Sequence, residues 1–403
     1  MKTQITLLMA VIIAAIMITP GRSYAQEEAS DTAYIFEEVT RVAVTPVKDQ
    51  NRSGTCWAFA GISFLEAEAL RISGTESDLS EMFVVRHAYE TKALKYVRKH
   101  GNANFGPGGQ AHDVTNVIRE FGIVPEEAYK GLEIGEDKHN HGEIDVVLNT
   151  FLDAIIKNRG GKLSPVWFEA YNALLDVYLG ELPDEFIADG KEYDPKAYAR
   201  ALGLNPDDYV EFTSYSIYPF YEQVMLEIPD NWANNLYYNI PMDDFVEVVE
   251  YALKKGYSVC WDGDVSDRGF SHKNGVAIVP DRDVQSMEGT ERSRWENLSE
   301  ADRNKELYSF DKPGEEKKVD QTMRQEHFDD YETTDDHLMH LTGIVRDQNG
   351  TYYYITKNSW DDDSNDFGGY LNMSDAYFRL NTVAFMVHKN AVPRSIAKKL
   401  GIE

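Results

Sequence analysis

Cysteine is scarce in this chain: Cys56 and Cys260 are the two in 403 residues. That excludes a disulfide-stapled scaffold and a cysteine-rich zinc site. Basic residues are also short, 40 Lys and Arg against 68 Asp and Glu, for a formal net charge of −28. Phosphate backbones are held by Lys and Arg, so nucleic acid is excluded as a partner. After the first two dozen residues no apolar run reaches the roughly 17–25 residues of a membrane span. His139 and His141 are the nearest approach to metal-ligand spacing, and such a pair is usually solvated; neither a metal nor a cofactor is expected. What the chain does have is 42% hydrophobic residues, enough apolar material for two or three core-forming units.

Residues 1–25 carry Lys2, an apolar run from Ile5 to Ile18, and the small residues Ser23 and Ala25 around Tyr24. This is the pattern of a secretory signal peptide cut between Ala25 and Gln26. The mature region, 26–403, is then expected to be exported, with no stable membrane insertion once the leader is removed. An exported chain with no disulfide suits a bacterial periplasm, the cell surface or the extracellular space.

The stretch from Pro46 to Phe64 organises the rest. Ser53, Gly54 and Thr55 form turns and caps, and from Cys56 to Ile72 the residues favour a mostly buried helix. Cys56 therefore stands at a helix N-terminus, where unpaired N–H groups and the macrodipole favour a thiolate nucleophile. Gln50, six residues earlier, is placed to aim its amide N–H where the Cys56 N–H points, making an oxyanion hole. By itself, a cysteine beside tryptophan on an apolar helix is core filling; the neighbouring residues argue otherwise.

Three further stretches divide the chain. Gly106, Gly108 and Gly109 make a loop ahead of an amphipathic helix, Ala111–Phe121, which completes a helical half over 56–138. Residues 139–240 show helical patterns (Val146–Arg159, Pro165–Leu179, Pro195–Leu202) and read as a helical insertion. The region 241–403 opens with a helix, Val246–Lys255, and a buried strand, Tyr257–Trp261, whose Cys260 is expected to be an inert core thiol. Within it, 281–334 is charged and poor in apolar residues, expected as a solvated excursion or a lid.

His337 enters an apolar strand, and Asn358 follows a second strand, Tyr352–Thr356, with a turn at Asp347–Gly350 between them. An imidazole takes the thiol proton and returns it to the leaving amine; a side-chain carbonyl fixes the ring tautomer. His340 is the competing base, but three positions along a strand it faces the opposite side from His337.

These motifs resemble the papain-like cysteine peptidases, in the order Gln50, Cys56-Trp57, His337, Asn358-Ser359-Trp360. Ser53-Gly54-Thr55-Cys56-Trp57 is similar to the bleomycin hydrolase and aminopeptidase C branch, as are Gly108-Gly109, Gly122-Ile123-Val124-Pro125 and Gly368-Gly369-Tyr370. Some 281 positions separate Cys56 from His337, about double the 130–150 of papain itself. Asp361 stands where the family has Gly. The resemblance implies an α+β fold: a helical half, an antiparallel β half over 241–403, and a cleft between them. It implies a Cys56–His337–Asn358 site with Gln50 on the oxyanion. Gly108 and Gly109 would lie beside the substrate backbone, and Trp360 over the His–Asn bond at the same cleft. The partners are then peptide substrates, with assembly of identical chains as in that branch. An ion pair with His337 would bring Cys56 to a pKa of about 3–4.

The expected function is a secreted cysteine peptidase, with a catalytically inactive peptidase-derived binding protein as the alternative and an acyltransferase as a third reading. In the resembled branch a C-terminal arm holds the substrate amine. Here only ten residues follow Pro393. The expectation is a relaxed aminopeptidase restriction, with N-acetylation costing less than tenfold in turnover, about 1.4 kcal/mol.

Overall fold

The computed structural model describes residues 33–158, 160–282, 284, 287 and 289–402. The leader, 1–25, lies outside the described residues. The first helix, α1 (Cys56–Ser73), stops where Gly74 takes φ 73 and returns its N–H to the Leu70 carbonyl. Its residues are buried without interruption from Trp57 to Ala69. A helix apolar on every side must be enclosed on every side. Around it pack α2 (Glu81–Arg98), α3 (Ala111–Glu120), α4 (Gly142–Ile156), α5 (Trp167–Leu179) and α6 (Pro195–Ala201). The two acids inside α1 are paired: Glu66 with Lys48 at 2.9 Å and Glu68 with Arg71 at 2.7 Å.

The strands are β1 (Glu37–Arg41), a small hairpin β2 (Phe186–Ala188) and β3 (Lys191–Tyr193), β4 (Tyr209–Thr213), β5 (Glu222–Met225), β6 (Leu236–Asn239), β7 (Val259–Gly263), β8 (Phe270–Ser271), β9 (Val276–Ala277), β10 (His337–Arg346), β11 (Tyr352–Lys357), β12 (Tyr370–Ser374) and β13 (Thr382–His388). All but the hairpin join one sheet in the order β5-β6-β4-β13-β7-β10-β11-β12-β9-β8, with β1 added to β10. Pairing is antiparallel except β4 with β6 and β9 with β12. The fold is therefore α+β. Alternation along the strands splits the sheet into two faces. Cys260, Leu338 and Met386 join the core around α1, while Val259, Trp261, Met339 and Phe385 face a second core with α7 (Met242–Lys254). Cys260 is unbonded and buried, as expected of a core thiol.

Two stretches differ from their sequence patterns. The region 139–240 holds α4, α5 and α6, interrupted by the β2–β3 hairpin, but then gives β4, β5 and β6 to the main sheet. β4 pairs with β13, some 170 residues later, and no local periodicity can announce such a partner. The region 281–334 holds α8 (Gly289–Asn297), α9 (Glu300–Leu307) and α10 (Gln321–Asp329). Its last part is anchored in the fold: the Arg324 guanidinium is fully buried over Tyr215 and Phe245, and donates to the Ser214 and Arg379 carbonyls.

After α11 (Asp375–Asn381) and β13, the chain ends in α12 (Arg394–Leu400). Ile396 is buried in the α7 core, and Lys399 bonds Tyr221 and Asp244. This helix lies on the face of the sheet opposite α1.

Candidate active site

Cys56 is the first residue of α1, so its N–H has no acceptor within the helix. The thiol meets the backbone N–H of Leu338, the residue after His337. His337 begins β10 opposite Gly263 of β7 and is buried. Its Nε2 lies 2.8 Å from Asn358 Oδ1. The Ser359 N–H also donates to that Oδ1, at 2.8 Å, which identifies it as the amide oxygen. His337 therefore donates from Nε2, leaving Nδ1 to receive a proton. Trp360 covers the pair, its ring centroid 4.9 Å from that of His337 and tilted by 32°.

The loop before Cys56 is bonded to the Asn358 strand end. The Gln50 N–H donates to the Ser359 carbonyl at 2.8 Å, and Ser359 Oγ donates to Gln50 Oε1 at 2.6 Å. Gln50 Nε2 donates one hydrogen to the Ser53 carbonyl at 2.8 Å, leaving its second hydrogen for an oxyanion. Ser53 is buried and bonds the Gln50 carbonyl and Thr55. A hydroxyl thus holds the loop. Lys138 bridges Asp49 at 2.8 Å and Asp361 at 3.1 Å, and Asp361 sits at φ 74 in the left-handed region that favours glycine.

His340 faces the other way, as its strand position requires. Its Nδ1 is 2.9 Å from Ser63 Oγ of α1, and Lys357 Nζ donates to the same oxygen at 2.7 Å. This belongs to a buried network under α1, in which Lys48 also binds Glu81 at 2.8 Å.

Gly109 is pressed against Trp57: an added Cβ would stand 2.9 Å from the indole Cδ2. Gly108 is covered from the opposite side, where a Cβ would collide with the Asp230 carboxylate. Its carbonyl accepts from Lys92 Nζ. Asn104 holds the Asp230 segment through Pro229 O and Asp230 Oδ1, both at 3.0 Å.

The electrostatics correct one expectation. Cys56 is not pulled toward a pKa of 3–4; its thiol is pushed up to about 12. The residue is partly exposed, yet packing around the thiol makes burial the largest influence, and the carboxylates of Asp262, Asp230 and Asp335 add to it. His337 is pushed down to about 4, first by burial and less by His272, against the support of Asn358. Enclosure disfavours the charged form of each group. Sequence reasoning gave no role to Asp230, Asp262, Asp335 or His272; Asp335, Asp262 and Ser359 stood inside sequence motifs, while Asp230 and His272 carried no signal.

Residues 303–403 match the Peptidase C1-like family, and residues 35–143 match the Papain family cysteine protease family. The chain is 24% identical to aminopeptidase W of Lactobacillus delbrueckii subsp. lactis, covering 87% of this chain and 82% of that protein. It is 20% identical to mouse bleomycin hydrolase, covering 90% and 84%. The crystal structure of pepw from Lactobacillus rhamnosis superposes with a TM-score of 0.66 at 19% identity, over 91% of this chain and 84% of that one, a likeness of fold. The chain belongs to the papain-like C1 cysteine peptidases, in the bleomycin hydrolase and aminopeptidase C branch.

Proposed function

We propose that the protein is an exported cysteine peptidase that hydrolyses peptide bonds through Cys56, His337, Asn358 and Gln50. The observation that carries this is the 2.8 Å His337–Asn358 bond, made one residue before Leu338, whose backbone N–H meets the Cys56 thiol. His337 Nδ1 takes the thiol proton as sulfur attacks the substrate carbonyl carbon. The resulting oxyanion is met by the Cys56 N–H and the second Gln50 Nε2 hydrogen. His337 then protonates the leaving amine, and water attacks the thioester to free the acyl product and restore the thiol. Intact Gln50, Cys56, His337 and Asn358 favour this over a catalytically inactive binding protein. Incubation with an epoxide-type thiol inhibitor tests it: covalent mass on Cys56, lost in Cys56→Ala, is expected, and an unlabelled parent sinks the reading. Export to the periplasm or cell surface is supported by the leader pattern in 1–25, and assembly of identical chains by the branch it belongs to. Among the described residues no helix is long and apolar enough to cross a membrane.

A relaxed aminopeptidase restriction is part of this proposal; α12 itself is bound to the face of the sheet away from Cys56. A specific observation favours a second reading, in which another acid takes the amine. Asp230 covers Gly108, and with Asp262 and Asp335 it supplies the charges acting on Cys56. Asp262 is 2% exposed, on the strand directly opposite Leu338. Free-amine and N-acetylated forms of one peptide separate the two. A loss under tenfold supports relaxation; a loss of about a thousandfold, roughly 4 kcal/mol, reduced in Asp230→Asn, supports the acidic wall.

A further inference from the structure

His272 lies in the turn after β8, outside every motif of the site, yet touches its centre. Its ring meets the Trp360 indole edge-on, centroids 4.9 Å apart, while His337 meets the same indole at 4.9 Å. His272 Nε2 is 2.8 Å from Ser364 Oγ, and Ser364 Oγ donates to the Asp361 carbonyl at 2.7 Å. A hydroxyl has one hydrogen, so Ser364 accepts from His272 Nε2–H. In the neutral ring Nδ1 is then an acceptor, and Asn358 Nδ2 points at it from 3.3 Å. Asn365 Nδ2 approaches the same nitrogen at 3.4 Å and binds the His272 carbonyl at 2.8 Å.

We propose that His272 is a positioning residue for catalysis: its neutral, Nε2-protonated ring holds the Asn358 amide with Oδ1 toward His337, and protonation releases it. A proton on His272 Nδ1 would face the Asn358 N–H donor, and the amide would lose that acceptor. Apart from His337 itself, only the Ser359 N–H would then hold Oδ1 in place. From β10 the titratable group nearest this relay is His337. From the segment after Trp360 the contacts are Ser364, Asn365 and, through its carbonyl, Asp361; none of these contacts titrates. Burial holds the His272 imidazole below its ordinary range, which keeps the ring neutral at working pH. The inference rests on the reading that Asn358 orients His337.

The test compares His272→Leu and His272→Gln in the full chain. Leucine removes the acceptor; the glutamine carbonyl supplies one that does not titrate in this range. Expected for leucine is a fall in kcat of roughly tenfold with KM within twofold, since one neutral hydrogen bond is lost. Expected for glutamine is recovery of kcat, with the acid limb of its pH profile at lower pH than the parent's. Glutamine as poor as leucine, or both equal to the parent, would overturn the proposal. Should the leucine variant not fold, the glutamine limb decides alone, and a limb at the parent's position overturns it. Nitrogen-15 histidine spectra of the parent give a readout independent of turnover. A neutral His272 protonated on Nε2 is expected even in a chain without hydrolytic activity, and a ring protonated on Nδ1 overturns the assignment.

Discussion

Ser359 donates its hydroxyl to Gln50 Oε1 at 2.6 Å, so the residue after Asn358 also fixes Gln50, the oxyanion donor of the proposed mechanism. The two functional amides are coupled through one short stretch of chain. Ser359→Ala frees Gln50 to rotate and leaves its Oε1 short of a donor. We expect kcat to fall by roughly tenfold. Gln50→Ala, which removes the donor outright, should cost on the order of 10²–10³. Steady-state kinetics of both variants checks the order; equal losses would mean Ser359 does more than hold Gln50.

The enclosure of Cys56 and His337 makes a prediction about free thiol reactivity. Burial pushes Cys56 up to about 12 and His337 down to about 4. A group whose pKa is raised has its anion only at high pH, so alkylation of Cys56 by iodoacetamide should climb steadily from pH 5 to 9. A preformed thiolate–imidazolium pair would instead give a plateau across that range. Observation of such a plateau would restore the ion pair expected from the sequence.

Lys48 is a stability prediction. Its Nζ reaches Glu66 at 2.9 Å, Asp78 at 2.7 Å and Glu81 at 2.8 Å, and both glutamates are almost fully buried. Removing the cation leaves two enclosed carboxylates without their partner. Lys48→Ala should destabilise by about 3–5 kcal/mol, read from urea unfolding. Glu81, already held above the usual carboxylate range by burial, should then be protonated at neutral pH and soften the loss.

Gly108 separates packing from substrate contact. A Cβ there meets the Asp230 carboxylate, the end of a side chain that can turn aside. Gly108→Ala should therefore leave the melting temperature within a few degrees while raising KM several-fold. Gly109→Ala meets the rigid Trp57 ring instead and should lower the melting temperature; an overpacked core costs about 1–3 kcal/mol.

Residues adjacent along the chain were legible without a structure. Cys56 at a turn-to-helix boundary, His337 opening an apolar strand and Asn358 closing the next are local patterns, and each element formed where its period placed it. The opposite facing of His337 and His340 likewise follows from two-residue alternation along β10. Tertiary structure decided what depends on partners far away in sequence. The strands β4 to β6 have no sheet without β13, and Arg324 in a charged stretch is buried because Tyr215 and Phe245 wait for it. The surroundings of Cys56 and His337 were decided in the same way. The helix N-terminus favours a thiolate, but enclosure and three carboxylates from β7, the segment before β6 and the segment before β10 outweigh it. Local sequence sets the dipole; only the assembled cleft sets the desolvation and the neighbouring charges.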